Sequence, residues 1–255
     1  MINFFRRIRQ KLLADGKLSK YLIYAIGEIA LVMIGILLAL QVNNWNQKRN
    51  IKKIERTLLL DLREEFGYND SLLQTRIKVI DQEIKSMKQG LYFTGPKVPN
   101  ITKLQMKDIL NGSTRQAIHY SPSTSVVDDI INSGQLQYLT DKDLRRSLSE
   151  WGGNLNTSNQ QELVIESYRN SLKQMTIEKS DMMTHFQMIG VYGLDSIDTG
   201  SSDFEFTYKD LLSDRRFENY LLYKIASTGS LRQYYVRLQS YMQSILKEID
   251  QQIKI

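Results

Sequence analysis

The sequence predicts a mainly α protein: one N-terminal transmembrane helix followed by an elongated antiparallel helical bundle with coiled-coil-like long helices. Three observations carry this. Gly (14) and Pro (3) are scarce among 255 residues, so the residues that punctuate all-β chains are few. Tyr21–Val42 is an apolar run with a single ionisable group. Near both ends of the remaining chain, apolar residues recur every three or four positions, the helical period.

Residues 1–20 read as a basic cytoplasmic tail. As a short amphipathic helix it would set Phe5, Ile8 and Leu12 on one side, and Arg6, Arg7, Arg9 and Lys11 nearer lipid phosphates. Residues 21–43 read as the transmembrane helix, whose apolar run Tyr21–Val42 is about 33 Å long at 1.5 Å per residue. Tyr21, Tyr24 and Trp45 stand where an interfacial aromatic belt belongs. The run exceeds the apolar core of a cleavable signal and no small-x-small site closes it, so the segment is expected to stay as an anchor.

The net charge of +6 is confined to this region. Residues 1–56 hold eleven Lys or Arg against three acids, and the rest of the chain is slightly acidic, which removes the basic face that nucleic-acid binding needs. Basic residues divide six before the span and five after it (Lys48, Arg49, Lys52, Lys53, Arg56), nearly a tie. The short basic tail, and the ease with which long C-terminal domains translocate, favour a cytoplasmic N-terminus and an extracytoplasmic domain over 47–255.

Within that domain, Ile51, Ile54, Leu58, Leu62, Phe66, Leu73, Ile77, Ile80, Ile84, Met87 and Leu91 mark a first long helix, with a bend expected at Gly67 or Asn69. Ile225, Thr228, Leu231, Tyr235, Leu238, Met242, Ile245, Ile249 and Ile253 mark the last. Matching stripes flanking everything between them imply antiparallel packing. A third helix is predicted from Thr157 to about Ile189, with Leu172, Met175, Met182, Phe186 and Ile189 on one face. Ser121-Pro122-Ser123-Thr124 opens a short helix through Ile131 that Gly134 ends; Thr140 opens another, expected to stop at Gly152-Gly153. Loops are expected near 92–102 and 190–213, with Phe204, Phe206 and Tyr208 alternating as in a short strand.

No constellation points to catalysis or to a cofactor. Asp198-Thr199-Gly200-Ser201 matches the aspartic-protease signature, but that chemistry needs a second Asp in a β-rich frame. His119 and His185 lack metal-ligand spacing, and no Cys is present. Ser244 and Lys247 have the Ser-x-x-Lys spacing without oxyanion-hole glycines. Glu28 is different, because an acid inside a span is costly and faces protein or water. Ala25, Glu28, Val32, Gly35 and Ala39 follow steps of three and four, so the acid shares one face with small residues that permit close helix approach.

Two stretches, FFRRIRQKLL with SKYLIYAIGEIALVMIGILLALQVNNWNQKR (residues 4–13 and 19–49) and STSVVDDIINSGQLQYLTDKDLRRSLSEW (123–151), resemble a family of bacterial single-pass membrane proteins defined as a domain of unknown function. The resemblance implies an inner-membrane anchor in a Gram-negative bacterium carrying a mostly helical domain, and brings no activity or catalytic residue. The expected role is a non-enzymatic interaction or scaffold protein whose partners are the lipid bilayer, a second copy of itself and, beyond these, another membrane or periplasmic protein. Alternatives are a ligand-sensing module without its own output domain, or an accessory to an ion-driven membrane machine using Glu28.

Overall fold

The computed structural model describes residues 18–97, 100–115, 119–183, 186, 200, 203 and 207–254. Among them lie six α-helices, one 3-10 turn and no strand, so the mainly α class holds. The chain divides into two compact units, Met1–Thr57 and Leu58–Ile255.

Helix α1 is Leu18–Leu91. The anchor and the first long helix are thus one helix, without interruption at Gly67 or Asn69. In the first unit its apolar stretch is long and apolar enough to cross a membrane, and none of that stretch is buried.

The second unit is organised by heptads. From Leu62, α1 contributes Phe66, Asn69, Leu73, Arg76, Ile80, Glu83 and Met87, in alternating steps of four and three. Helix α4, Lys142–Lys179, contributes Leu144, Leu148, Trp151, Leu155, Ser158, Glu162, Ile165, Arg169, Leu172 and Thr176 in the same steps. Helix α6, Arg215–Ile253, contributes Phe217, Leu221, Lys224, Thr228, Leu231, Tyr235, Leu238, Met242, Ile245 and Ile249. A repeat of 3.5 residues keeps each seam facing its partners along its length.

Helix α6 runs antiparallel to α1, as Arg63–Asp250, Asp70–Gln239 and Asp81–Arg232 pair in descending order. It is antiparallel to α4 as well: Tyr241 and Tyr234 donate to the carbonyls of Ser147 and Asn154, Tyr168 stacks on Tyr223, and Lys179 pairs with Asp214. Two apolar cores result. One centres on Leu62, Phe66, Ile80, Trp151 and Leu238, with the Phe66 and Trp151 rings 5.1 Å apart. The other holds Met87, Leu172, Phe217 and Leu221 with Met106, Ile109 and Leu110.

Helix α2, Lys103–Thr114, was not anticipated, although Thr102-x-x-Gln105 is its start signal. The Thr102 hydroxyl accepts from Gln105 N–H, and Thr102 N–H donates to the Gln105 side chain, closing a capping box. It packs closely on α1: a Cβ at Gly112 would lie 2.9 Å from Ser86 Cβ and 3.0 Å from the Glu83 carbonyl oxygen, so only glycine fits there. Helix α3 is Ser125–Asn132, and Gly134 takes the left-handed conformation, φ 73°, that ends it. A 3-10 turn, Gln135–Tyr138, leads to Asp141, which caps α4 by accepting from Asp143 and Leu144 N–H. The start expected at Thr140 is off by one residue.

Helix α4 passes straight through Gly152-Gly153 and absorbs the predicted third helix. Two glycines cost about 1 kcal/mol each in a helix, less than the burial of Ile165 and Leu172 on the continuing seam returns. It ends at Lys179, so Met182 lies beyond it, and Ile189 falls outside the described residues. Helix α5, Lys209–Leu212, sits inside the expected 190–213 loop. Tyr208 is buried at its start and not in a strand; Phe204 and Phe206 lie outside the described residues.

Candidate functional site: an exposed anchor face and a buried polar layer

The structure places the sequence-predicted residues unevenly. Arg6, Arg7 and Arg9 lie outside the described residues, as do His185 and, apart from Gly200, the Asp198–Ser201 stretch. Tyr21 and Tyr24 fall within the helical backbone of α1. Trp45 is exposed, with the Arg49 guanidinium 5.9 Å from its ring centre. Because α1 is helical throughout, Ala25, Glu28, Val32, Gly35 and Ala39 do share a face. Val32, Gly35 and Ala39 are exposed, Ala25 and Glu28 half-buried, and a Cβ built on Gly35 would meet nothing within 4 Å. Ser244 donates to the Tyr241 carbonyl while Lys247 is exposed, so that spacing is incidental.

What the sequence reading missed is a set of charged and polar side chains on the three seams, partly inside the first apolar core and partly between the two. It occupies seam positions: Asn69 and Arg76 on α1, Glu162 on α4 and Lys224 on α6, all buried, with Glu83 on α1 and Arg169 on α4 half-buried. The strict heptad was the available signal, since it selects Lys224 where the apolar reading chose Ile225. Lys224 is only 2% exposed.

The layer holds the segment between α2 and α3. At the C-terminus of α2, Lys224 Nζ donates to the carbonyls of Gly112 (2.9 Å) and Ser113 (2.7 Å), and Arg169 reaches that of Thr114 (3.5 Å). These cations satisfy carbonyls that the helix leaves without partners and oppose the negative end of its dipole. Further along, the Glu162 carboxylate accepts from His119 Nδ1–H at 2.5 Å, from Tyr120 N–H at 3.1 Å and from the Tyr235 hydroxyl. The Tyr120 and Tyr235 rings meet edge-on, 5.7 Å apart.

At the N-terminus of α3, Thr124 provides no cap because its hydroxyl donates to Asp128. Glu65 of α1 caps the helix instead, accepting from the hydroxyls of Ser123 (2.8 Å) and Ser125 (3.1 Å) and from N–H of Val126 (2.8 Å) and Val127 (3.3 Å). Asn69 exchanges two 2.8 Å hydrogen bonds with the Ser123 backbone. The Ser-Thr-Ser-Val-Val stretch is therefore the receiving half of a cap supplied by another helix.

Arg76 is the exception to this satisfaction. It is 6% exposed, stands 3.5 Å from Glu83, and its Nε and Nη1 make no hydrogen bond among the described residues. Among those residues no group of three or more His, Asp or Glu could hold a metal ion.

Burial lowers the Lys224 pKa to about 8, opposed in part by Glu83 and Glu166. Burial also raises the hydroxyls of Tyr120 and Tyr235, and the Arg169 guanidinium lowers Glu166. A lysine depressed on folding binds fewer protons in the native state between about pH 8 and its unfolded value of 10.5, so stability rises across that window. The tyrosines act oppositely above pH 10, where the unfolded chain ionises first. In urea unfolding from pH 8 to 9.5, the full chain should gain about 1.5 kcal/mol more stability than a less stable Lys224→Met variant, which carries the same tyrosines.

Comparison of the chain with protein-family models, with characterised proteins and with solved structures finds no match.

Proposed function

We propose that this protein is a membrane-anchored interaction or scaffold protein that self-associates through its anchor and presents the Leu58–Ile255 bundle outside the cytoplasm, at a bacterial inner membrane. The unburied apolar stretch of α1 is the observation that carries the reading, since a core helix of that length would be covered. The open face at Gly35 and the small residues in register with it support close approach of a second copy. The bacterial inner membrane rests on the family resemblance, and the orientation on the basic tail.

Gly35→Leu should weaken association in a transmembrane dimerisation assay by separating the helices. Glu28→Gln should preserve it, and Glu28→Leu should give an intermediate loss, since interhelical hydrogen bonds contribute about 0.6–2 kcal/mol. Association indifferent to Gly35 would assign the face to a different protein. A phosphatase fused after Ile255 should be active; an active cytoplasmic reporter there would reverse the orientation.

The unsatisfied Arg76 guanidinium favours a second reading, a ligand-sensing bundle. A metabolite co-purifying with the full chain and lost in Arg76→Met would favour it over the scaffold.

A further inference from the structure

Beyond Trp45, α1 carries Lys48, Arg49, Lys52, Lys53 and Arg56, all exposed, with Glu55 the only acid between residues 43 and 57. The spacing from Trp45 onward is 3, 1, 3, 1, 3. At 100° per residue this confines the aromatic ring and all five cations to one sector of about 140°. Ile51 and Ile54 fall on the opposite side, 40% and 39% exposed. The helix is thus two-faced immediately after its apolar stretch, and its basic face is continuous with Trp45, over whose ring Arg49 lies.

We propose that Lys48, Arg49, Lys52, Lys53 and Arg56 form a binding face for the phosphate headgroups of anionic phospholipids in the leaflet next to Trp45. The inference rests on the reading of α1 as a membrane span. Three arguments support it. Clustered cations beside a span attract anionic lipid, each contributing about a fivefold preference near the surface. From Trp45 to Arg56 the helix rises about 17 Å, which sets Lys48 and Arg49 about 5–6 Å above Trp45, at headgroup level, and the upper cations within about a Debye length of it. Finally, the face from Ala25 to Val42, continued in the same steps, arrives at Arg49, Lys53 and Arg56. Two chains paired along it would set these cations against each other, and lipid phosphates between them remove that repulsion.

Trp45 reports the contact directly, because Trp151 is buried in the bundle and adds a constant background. The full chain would be reconstituted in phosphatidylcholine vesicles containing a minor fraction of phosphatidylglycerol, with one lipid or the other brominated to quench tryptophan. Brominated phosphatidylglycerol should quench Trp45 about fivefold or more beyond its share of the lipid. The preference should vanish in the variant carrying Gln at all five positions and fall in high salt. Arg49→Lys with Arg56→Lys, which keeps the charge, should retain it. Quenching by brominated phosphatidylcholine shows that the Gln variant is inserted. Quenching in proportion to lipid share in the unaltered chain, or a preference undiminished in the Gln variant, would overturn the proposal. Absence of quenching by either lipid would overturn the membrane span and this inference with it.

Discussion

Ile80→Asp should destabilise the bundle by about 4 kcal/mol or more. Ile80 is fully buried where the seam of α1 meets that of α6, in one core with Leu231, Tyr235 and Leu238. The substitution removes a large apolar side chain and puts a carboxylate where apolar groups surround it. Leu238→Asp, on the opposing helix, should act similarly. Trp151 fluorescence during urea unfolding of the full chain in detergent measures both. Unchanged unfolding in both variants would mean that the stripes face another chain.

The second large effect belongs to Glu162. Glu162→Ala should cost about 3–5 kcal/mol, because it strands the Tyr235 hydroxyl, the Tyr120 N–H and the His119 ring. Glu162→Gln should cost only about 1 kcal/mol. Tyr120 and Tyr235 both donate to Oε1, which the amide oxygen replaces, and His119 can turn from donor to acceptor by changing tautomer. Equal losses in the two variants would show that the negative charge matters more than acceptor geometry. Hydrogen exchange at the α2 to α3 connection separates a local release of this segment from global unfolding, since release exposes the Tyr120 and Ser123 amides first.

The buried layer has a consistent physical rationale. Glu162, Arg169 and Lys224 meet backbone groups or a partner from another helix, Arg76 and Glu83 face each other along α1, and charges at seam positions disfavour every register that would place them against apolar residues. The layer therefore specifies which parts of the three long helices face one another. Glu162 and Lys224 hold the connection between α2 and α3 together with Glu65, each from a different helix.

Helical class, the apolar span and the seams from Leu58 to Met87 and from Thr228 to Ile249 were legible in the sequence, because burial against a long partner imposes a period that survives without knowing the partner. The turn at Gly134 was legible for a similar reason: a left-handed φ excludes most side chains locally. Helix α2 was equally local in its capping box, and its twelve residues show no long stripe to draw attention to it.

Other features are decided only by tertiary structure. Gly152-Gly153 reads locally as a stop, yet the helix continues because Ile165 and Leu172 beyond it bury against residues far along the chain. Glu65 reads as one acid among several on a solvated helix. It becomes a cap because folding brings Ser123–Val127, about sixty positions later, to its carboxylate. Lys224 likewise interrupts a hydrophobic pattern until the α2 carbonyls, more than a hundred residues earlier, surround it. Periodicity and turn stereochemistry act between near neighbours and are written in the chain itself. The satisfaction of a buried polar group depends on donors and acceptors from distant segments, and exists only once those segments have packed.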